Sequence, residues 1–233
     1  MANLDEGLTV AIQPAQVLSA QVLEQMRILI ITGKFAAGTH LVEAQLSQTF
    51  QVSRGPIRDA LGQLESEGLV ENRKRGVFVR GLTVEDIDEL YSLRESMELL
   101  AIRLGAQRAS EAAWGSVENP LEQMREASVR GDYEAFARAD LAYHSGFYEV
   151  ARHRRLHQMW RQYEPTFGVL LTITTAEDVN LGPSYESHVE ILDHLRTGAV
   201  DSATTSLQEH LLGSRTRLIS AYARNTLGDE SGD

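Results

Sequence analysis

After Gly81 the sequence places apolar residues three and four positions apart almost to its end, and this pattern restricts the possible folds more than any other feature. Such spacing aligns apolar side chains along one side of an α-helix. Thr83 to Asp86 resembles a capping box and opens a long helix that reaches about residue 109. A loop is expected over 172–183. Further helices are predicted at about 117–130, 132–150, 154–172, 184–197 and 199–223.

The residues before Gly81 follow a different pattern. Ser53 is expected to cap a helix that has Pro56 in its first turn. A β-hairpin follows, with its basic turn at Arg73 to Gly76. Helices are predicted over about 17–31, 43–50 and 54–68, and strands over 69–72 and 77–79.

Three helices followed by a hairpin form a winged helix-turn-helix. The chain is therefore predicted to be mainly α, with a winged helix-turn-helix over residues 14–80 and an all-α helical bundle over 81–226. Residues 1–13 and 227–233 are predicted to be tails.

The net charge of −11 is distributed unevenly along the chain. Residues 1–80 contain 8 of the 22 Lys and Arg residues and 8 of the 33 Asp and Glu residues, so the excess acid lies entirely after residue 80. Local charge governs phosphate contacts, and an acidic total does not exclude nucleic acid. A local positive surface is predicted from Arg54, Arg58, Arg73, Lys74, Arg75 and Arg80.

The chain contains no cysteine, which excludes disulfides, thiolate zinc sites and cysteine nucleophiles. Any metal would have only oxygen and nitrogen ligands. The apolar run Ile28 to Ile31 is far too short to cross a bilayer, and no signal-peptide pattern is found. We therefore expect a cytoplasmic protein without a membrane partner.

The segment Val52 to Val70 has the pattern of a helix that reads DNA. Arg54 and Arg58 are four positions apart near its N-terminus, so they project toward one groove. There an arginine can bind the O6 and N7 atoms of guanine. The alternative is a surface helix with two solvated arginines, but the adjacent basic hairpin favours DNA binding.

Four side chains of metal-ligand type fall on the apolar stripes of three predicted helices: Asp140, His144, His188 and His210. An ionisable group on such a stripe costs several kcal/mol unless it is paired or bound to a metal. Each histidine alone is more often a hydrogen-bonded core residue than a ligand. Three of them with an aspartate favour a divalent metal, with Zn²⁺ preferred and Ni²⁺ or Mn²⁺ accepting the same ligands.

Arg94 stands where the apolar face of the first bundle helix requires a core residue. It can form an internal salt bridge to a core carboxylate. It can also anchor an anionic effector, because a guanidinium binds a carboxylate through two hydrogen bonds. The other predicted members of this face are Ile87, Leu90, Met97, Ala101 and Leu104.

The first part of the chain resembles the winged helix-turn-helix of the GntR family of bacterial transcription regulators. The run Gly33 to Leu41, the Ser-Arg-x-Pro-x-Arg core at residues 53–58 and the Glu-Gly-Leu-Val segment at 67–70 carry this resemblance. It implies a homodimer on a palindromic operator in double-stranded DNA. In this resemblance Arg54 and Arg58 contact bases, Ser53 contacts a phosphate, and Arg75 with Gly76 enters the minor groove.

Two positions depart from the pattern of that family. Ala44 follows Glu43, where many members have an arginine, so a base contact of some relatives is missing. Gly55 stands where threonine is frequent, which removes a phosphate contact. The operator is therefore expected to differ from those of such relatives.

The second part resembles the helical FCD domain of the FadR subgroup of the same family, which implies that residues 81–226 serve as the effector and dimerisation domain. The pattern is Asp-x-x-x-His on one helix, a histidine near the start of a later helix and another histidine 22 residues on. Asp140, His144, His188 and His210 meet each of its elements. The resemblance implies that these four residues bind the metal and that Arg94 belongs to the pocket for a small carboxylate effector.

The expected function is a ligand-responsive, sequence-specific transcription regulator, and a repressor more often than an activator. An enzyme is the rival class, because a metal held by three histidines and an aspartate can activate water. The sequence lacks His-Glu-x-x-His and the Glu-x-x-His pairs of di-iron bundles, which argues against an enzyme. A third possibility is a purely structural metal, with DNA binding controlled by protein partners.

Overall fold

The computed structural model describes residues 15–108 and 114–228, and the chain divides into two compact units between Gly81 and Leu82. The helices of the first unit are α1 (Ala15–Ile31), α2 (Glu43–Thr49) and α3 (Arg54–Ser66). Its antiparallel sheet has the order β1-β3-β2, with β1 (His40–Leu41), β2 (Val70–Arg73) and β3 (Gly76–Val79). The predicted winged helix-turn-helix is confirmed, and the predicted hairpin is formed by β2 and β3.

The sheet contains a strand that the sequence did not predict. β1 pairs His40 with Phe78 and Leu41 with Val77. A strand of two residues has no alternation of apolar and polar positions, so its pairing depends on the tertiary fold. Gly76 begins β3 with a φ of +125°, and a Cβ there would lie 2.5 Å from the Nε2 of His40. This turn therefore requires glycine.

The core of the first unit joins α3 to α1. Met26 on α1 and Ile57 and Leu64 on α3 are fully buried. A buried ion pair adds to these contacts, because Arg27 on α1 donates to both oxygens of Glu67, each at 2.8 Å, just after the end of α3. The helix that is predicted to read DNA is thus fixed along its inner side.

In the described part of the second unit α6 packs against α4, α5 and α7, while α9 packs against α4, α7 and α8. No helix among the described residues is long and apolar enough to span a membrane. α9 includes residues 227 and 228, and the predicted tails otherwise lie outside the described residues, at 1–13 and 229–233. The helices are α4 (Val84–Arg108), α5 (Gly115–Arg130), α6 (Tyr133–Ala151), α7 (Arg154–Ala176), α8 (Gly182–Arg196) and α9 (Val200–Gly228).

The predicted capping box at the start of α4 is confirmed. The backbone N–H of Asp86 donates to the Thr83 hydroxyl at 3.1 Å, and the backbone N–H of Thr83 donates to Asp86 Oδ2 at 2.9 Å. An aspartate thus replaces the usual Glu or Gln of this motif.

The prediction of a loop over 172–183 is wrong at both ends, because α7 continues to Ala176 and α8 begins at Gly182. The Thr174 hydroxyl donates to the carbonyl of Leu170 at 2.8 Å. β-branched threonines disfavour a helix, but burial outweighs this preference. The buried residues of this turn include Leu170, Leu171, Thr174 and Thr175.

The buried face of α4 is rotated relative to the prediction. Leu90 is only partly buried, whereas Tyr91 and Glu98 are buried. Positions 90 and 91 lie four and three residues before Arg94, and both spacings fit a helical face. Helical spacing alone therefore could not decide which of the two residues is buried. Arg94 remains on the buried face, and Glu98 joins it there.

Gly146 on α6 allows a close approach to the residues at the start of α5. A Cβ at this position would lie 2.3 Å from the backbone carbonyl oxygen of Ser116. Gly146→Ala is therefore expected to lower the free energy of unfolding by about 1–3 kcal/mol, measured by urea denaturation. Gly213→Ala is the matched control, because a Cβ there meets only the end of the Arg217 side chain at 3.5 Å. That variant is expected to gain up to about 1 kcal/mol, and equal stability of the two variants would contradict the close approach.

Candidate metal centre and DNA-binding surface

α6, α8 and α9 bring the four predicted metal ligands together. Asp140 and His144 lie one turn apart on α6, while His188 is on α8 and His210 is on α9. Asp140 Oδ1 is 3.3 Å from the Nε2 of His144 and 3.5 Å from the Nε2 of His188. The ligating nitrogens of the three histidines lie within 4.8 Å of one another. Residues far apart in the sequence thus converge on one point.

Each histidine of this cluster uses its Nδ1 atom for a contact with the protein. The Nδ1 of His144 lies 2.7 Å from Glu98 Oε2, and that of His188 lies 2.6 Å from the backbone carbonyl four residues earlier. The Nδ1 of His210 lies 3.0 Å from the hydroxyl of Ser187. An Nδ1–H that donates to an acceptor leaves Nε2 as the unprotonated nitrogen that can bind a metal.

Three polar atoms of the cluster lack a hydrogen-bond partner among the described residues: Asp140 Oδ1, His144 Nε2 and His188 Nε2. All three side chains are buried, where an unpaired polar atom is costly. Ligand atoms about 2.0–2.2 Å from a tetrahedral Zn²⁺ are separated by roughly 3.3–3.6 Å, which matches the distances from Asp140 to the two imidazoles. These residues fit a divalent metal, and the wider spread of up to 4.8 Å among the imidazoles requires one ring to move inward on binding.

The electrostatics of Asp140 and His210 favour the forms that bind metal, whereas His144 differs: burial alone would lower its pKa, but the carboxylate of Glu98 raises it. Burial alone would raise the pKa of Asp140, but the imidazoles of His188 and His144 hold this pKa well below its ordinary value. Burial, together with the charges of His188 and His144, holds the pKa of His210 well below its ordinary value. At neutral pH Asp140 is therefore an anion and His210 is a neutral base, as a divalent cation requires.

Glu98 connects this cluster to Arg94. The Nε of Arg94 donates to Glu98 Oε1 at 2.6 Å, while the other oxygen of Glu98 contacts His144, and both members of the ion pair are fully buried. Burial alone would raise the pKa of Glu98, but the charge of Arg94 holds it below its ordinary value. Sequence reasoning missed Glu98, although its position four residues after Arg94 is the spacing of a helical ion pair.

Arg94 forms the predicted internal salt bridge and also keeps the donors needed to bind an anion. Its Nε forms the internal salt bridge, but Nη1 and Nη2 have no hydrogen-bond partner in the part of the chain that the structure describes. The guanidinium carbon lies 5.0 Å from the centre of the Phe167 ring, which is a cation–π contact. Two buried donors therefore remain for an anionic acceptor.

A cavity of about 450 Å³ lies beside the cluster, on the side of His210. His210 is partly exposed, whereas His144 and His188 are fully buried. This cavity offers a route from solvent to the cluster. Its lining includes Asp178, Ser187, His210 and Arg217.

The predicted DNA-contacting residues of α3 lie at its exposed N-terminal end, where Ser53, Arg54 and Arg58 are all exposed. Ser53 is the N-cap residue, as predicted, but its side chain makes no capping hydrogen bond. The Nε and Nη2 of Arg58 contact the two carboxylate oxygens of Glu43 at 3.2 and 3.1 Å. Sequence reasoning missed this pair, because it depends on how α2 packs against α3.

The wing presents Arg73, Lys74 and Arg75 to solvent. The Arg73 guanidinium lies 4.9 Å from the centre of the Phe78 ring, which also stacks on His40 with centroids 4.6 Å apart. Together with the start of α3, these cations give the first unit basic groups of the kind that bind phosphates. Their assignment to particular bases or grooves remains a prediction.

A winged helix-turn-helix with exposed arginines, followed by a helical bundle with a buried polar centre, defines a DNA-binding transcription regulator with a second, helical domain. The chain belongs to the GntR family: residues 18–79 match the family described as bacterial regulatory proteins, gntR family, and residues 89–213 match the FCD domain. This membership agrees with the predicted FadR-like subgroup. It also confirms the prediction that the chain is not an enzyme, because its relatives are named as transcription regulators.

Similar proteins are named as transcriptional repressors or regulators. The chain is 30% identical over 171 residues to the gluconate operon transcriptional repressor of Bacillus licheniformis. The aligned region covers 73% of this chain and 69% of that relative. It is 28% identical over 195 residues to a probable D-xylose utilization operon transcriptional repressor of Paenarthrobacter nicotinovorans, covering 83% and 85% of the two chains. A crystal structure of a putative transcriptional regulator GntR from Rhodococcus sp. RHA1 has a TM-score of 0.65 at 27% identity, covering 88% of this chain and 98% of that one.

Proposed function

We propose that the protein is a homodimeric repressor that binds a palindromic operator and responds to a small carboxylic acid held beside a divalent metal. The relatives named as repressors of a gluconate operon and of a D-xylose utilization operon support a role in controlling an operon for carbon-source use. Regulators of this family are commonly dimeric, which supports a palindromic operator. They bind DNA, which supports a cytoplasmic location.

In this proposal α3 enters the major groove and the wing enters the minor groove. Arg54 and Arg58 contact base edges, Ser53 contacts a phosphate, and Arg75 with Gly76 reaches the minor groove. Arg73 and Lys74 add charge toward the phosphate backbone. The exposure of these side chains in the first unit supports the assignment.

The orientation of the imidazoles is the observation that carries the metal assignment. The Nδ1 atoms of all three histidines contact protein groups, and two Nε2 atoms remain buried without a partner beside Asp140. We assign Asp140, His144, His188 and His210 as ligands, with Zn²⁺ preferred and Ni²⁺ or Mn²⁺ as alternatives. A bound metal would supply a Lewis-acidic position for an oxygen of the effector.

The buried charges favour an anionic effector. The buried Arg, Asp, Glu and His side chains among the described residues of the second unit are Arg94, Glu98, Asp140, His144 and His188. With neutral imidazoles these groups carry one net negative charge, and a divalent cation changes it to one positive charge. A monocarboxylate then neutralises the centre, and an uncompensated buried charge would be costly. The free Nη1 and Nη2 atoms of Arg94 supply a bidentate contact.

Regulation would follow from a shift between arrangements of the helices. Arg94 lies on α4, while the metal ligands lie on α6, α8 and α9. An acid that contacts both Arg94 and the metal binds best to the arrangement in which they are correctly spaced. Such a ligand shifts the population toward that arrangement and thereby changes how the dimer fits its operator.

The test uses the full chain loaded with Zn²⁺ and an operator selected from random-sequence duplexes. Titration of small carboxylic acids is expected to change the affinity for this operator. Arg94→Lys keeps the charge but loses the bidentate geometry, so we expect the effector to bind about tenfold or more weakly while metal content stays the same. Arg215→Lys is the matched control, because Arg215 pairs with Asp88 at 2.7 Å and is more exposed.

Two outcomes would contradict the proposal. An unchanged response of Arg94→Lys would remove this arginine from the effector site. A wild-type protein that binds metal and operator but responds to no acid would favour a purely structural metal.

A further inference from the structure

Tyr148 has a buried hydroxyl group that no other described residue uses. Its side chain is 1% exposed, and its oxygen has no hydrogen-bond partner among the described residues. Buried tyrosines normally pair this group, because an unpaired polar atom is costly. Tyr148 follows His144 by one turn on the buried side of α6.

Packing fixes the ring of Tyr148. The ring stacks on Trp160 with centroids 4.8 Å apart and an angle of 10° between the planes. Trp160 is itself fixed, because its indole N–H donates to the Ser145 hydroxyl at 2.8 Å and its ring stacks on Phe167 at 5.6 Å. The hydroxyl group therefore cannot turn toward solvent without breaking these stacks.

The same stack leads to Arg94, because Phe167 contacts both Trp160 and the Arg94 guanidinium. Burial raises the pKa of Tyr148, so its hydroxyl group stays a neutral donor. In the described residues seven buried side-chain atoms lack a partner, and six of them belong to Tyr148, Arg94 and the metal cluster. The unpaired polar atoms thus concentrate in one interior region.

We propose that the Tyr148 hydroxyl group binds a second oxygen function of the effector, which is therefore a hydroxylated carboxylic acid. This inference rests on the proposed function, because it assumes an acid at Arg94 and the metal. The two oxygens of one carboxylate can be bound by Nη1 and Nη2 of Arg94. An alcohol group supplies a further oxygen, and a tyrosine hydroxyl can both donate to it and accept from it. A site built to bind a ligand hydroxyl discriminates against analogues that lack it.

Tyr148→Phe separates a ligand contact from a structural role. The variant keeps the ring stack and removes only an unpaired oxygen, so the metal-free full-length protein is expected to have an unchanged or higher Tm. Tyr91→Phe is the matched control, because the Tyr91 hydroxyl is paired with Ser214 Oγ at 2.9 Å and both residues are buried. That variant is expected to have a lower Tm.

Ligand preference is measured by calorimetry on the full-length, Zn²⁺-loaded protein with matched pairs of acids. The pairs are propionate against lactate and hexanoate against gluconate, which differ in their hydroxyl groups. Wild type is expected to bind the hydroxylated member of at least one pair about tenfold or more tightly. Tyr148→Phe is expected to lose this preference while still binding the metal.

The outcomes distinguish this inference from the proposed function. Retention of the preference by Tyr148→Phe, or a loss of Tm as large as that of Tyr91→Phe, would overturn the role of the hydroxyl group. Equal binding of both members of each pair by wild type would overturn the inference and leave the carboxylate effector standing. If wild type bound none of these acids but did bind acids of another class, the effector class would be wrong, and binding of no acid at all would overturn the proposed function as well.

Discussion

Replacement of both His144 and His210 by alanine is expected to empty the metal centre. Purified wild type should contain about one metal ion per chain by elemental mass spectrometry, and the double variant almost none. Loss of a group that only orients a ligand typically costs about 10- to 100-fold in metal affinity, so loss of two direct ligands costs more. The pair also spans the cluster, since His144 is fully buried and His210 lines the cavity.

The control for this variant removes two other imidazoles, at His157 and His194, which are partly exposed and lie outside the cluster. This control should keep its metal. Added Zn²⁺ should raise the Tm of wild type and of the control but not of the double variant, because a ligand stabilises only a fold that binds it. A wild type that stays empty after addition of Zn²⁺, Ni²⁺ and Mn²⁺ would show that these histidines are core residues or direct ligand contacts.

Arg58→Ala is expected to weaken operator binding about 5- to 150-fold and to relax the preference at one base-pair position. Glu43 holds the Nε and Nη2 of Arg58, so the edge formed by Nη1 and Nη2 faces away from this carboxylate. That edge can bind guanine O6 and N7. Effector binding is expected to be unchanged, because Arg58 belongs to the first unit.

The measurement compares operator affinity at a fixed salt concentration with the base preferences found by selection from random duplexes. Arg125→Ala is the control, because Arg125 is an exposed arginine of the second unit that also pairs with a glutamate, Glu122. It removes the same charge without touching α3. Normal affinity and an unchanged preference in Arg58→Ala would show that α3 does not read DNA through this residue.

The sequence predicted the fold well where periodicity is long. Its helical spacing located every described helix of the second unit, and turn and cap residues located the wing. β1 was missed because two residues carry no pattern. The end of α7 was missed because Thr174 and Thr175 favour other structures locally, and only their burial against the bundle makes the helix continue.

The candidate site was predictable as far as each residue could be judged on its own helix. Asp140, His144 and His188 were recognisable as ionisable groups on apolar stripes, and the structure brings them together. Glu98 was missed because an apolar face drawn through Leu90 excludes it. Contacts between helices decide such cases, and no single helix contains that information.

α4 begins at Val84, three residues after the winged unit ends at Gly81, and it carries Arg94 ten residues further on. At 1.5 Å per residue, Arg94 is about 15 Å from the start of that helix. A helix of this length behaves as a stiff rod, so in the proposed response a tilt imposed at Arg94 reaches the N-terminal end of α4. Under the proposed function, the shortest covalent path from an acid bound at Arg94 to the winged unit therefore lies within α4 and the two residues before it, without passing through the other five described helices of the second unit.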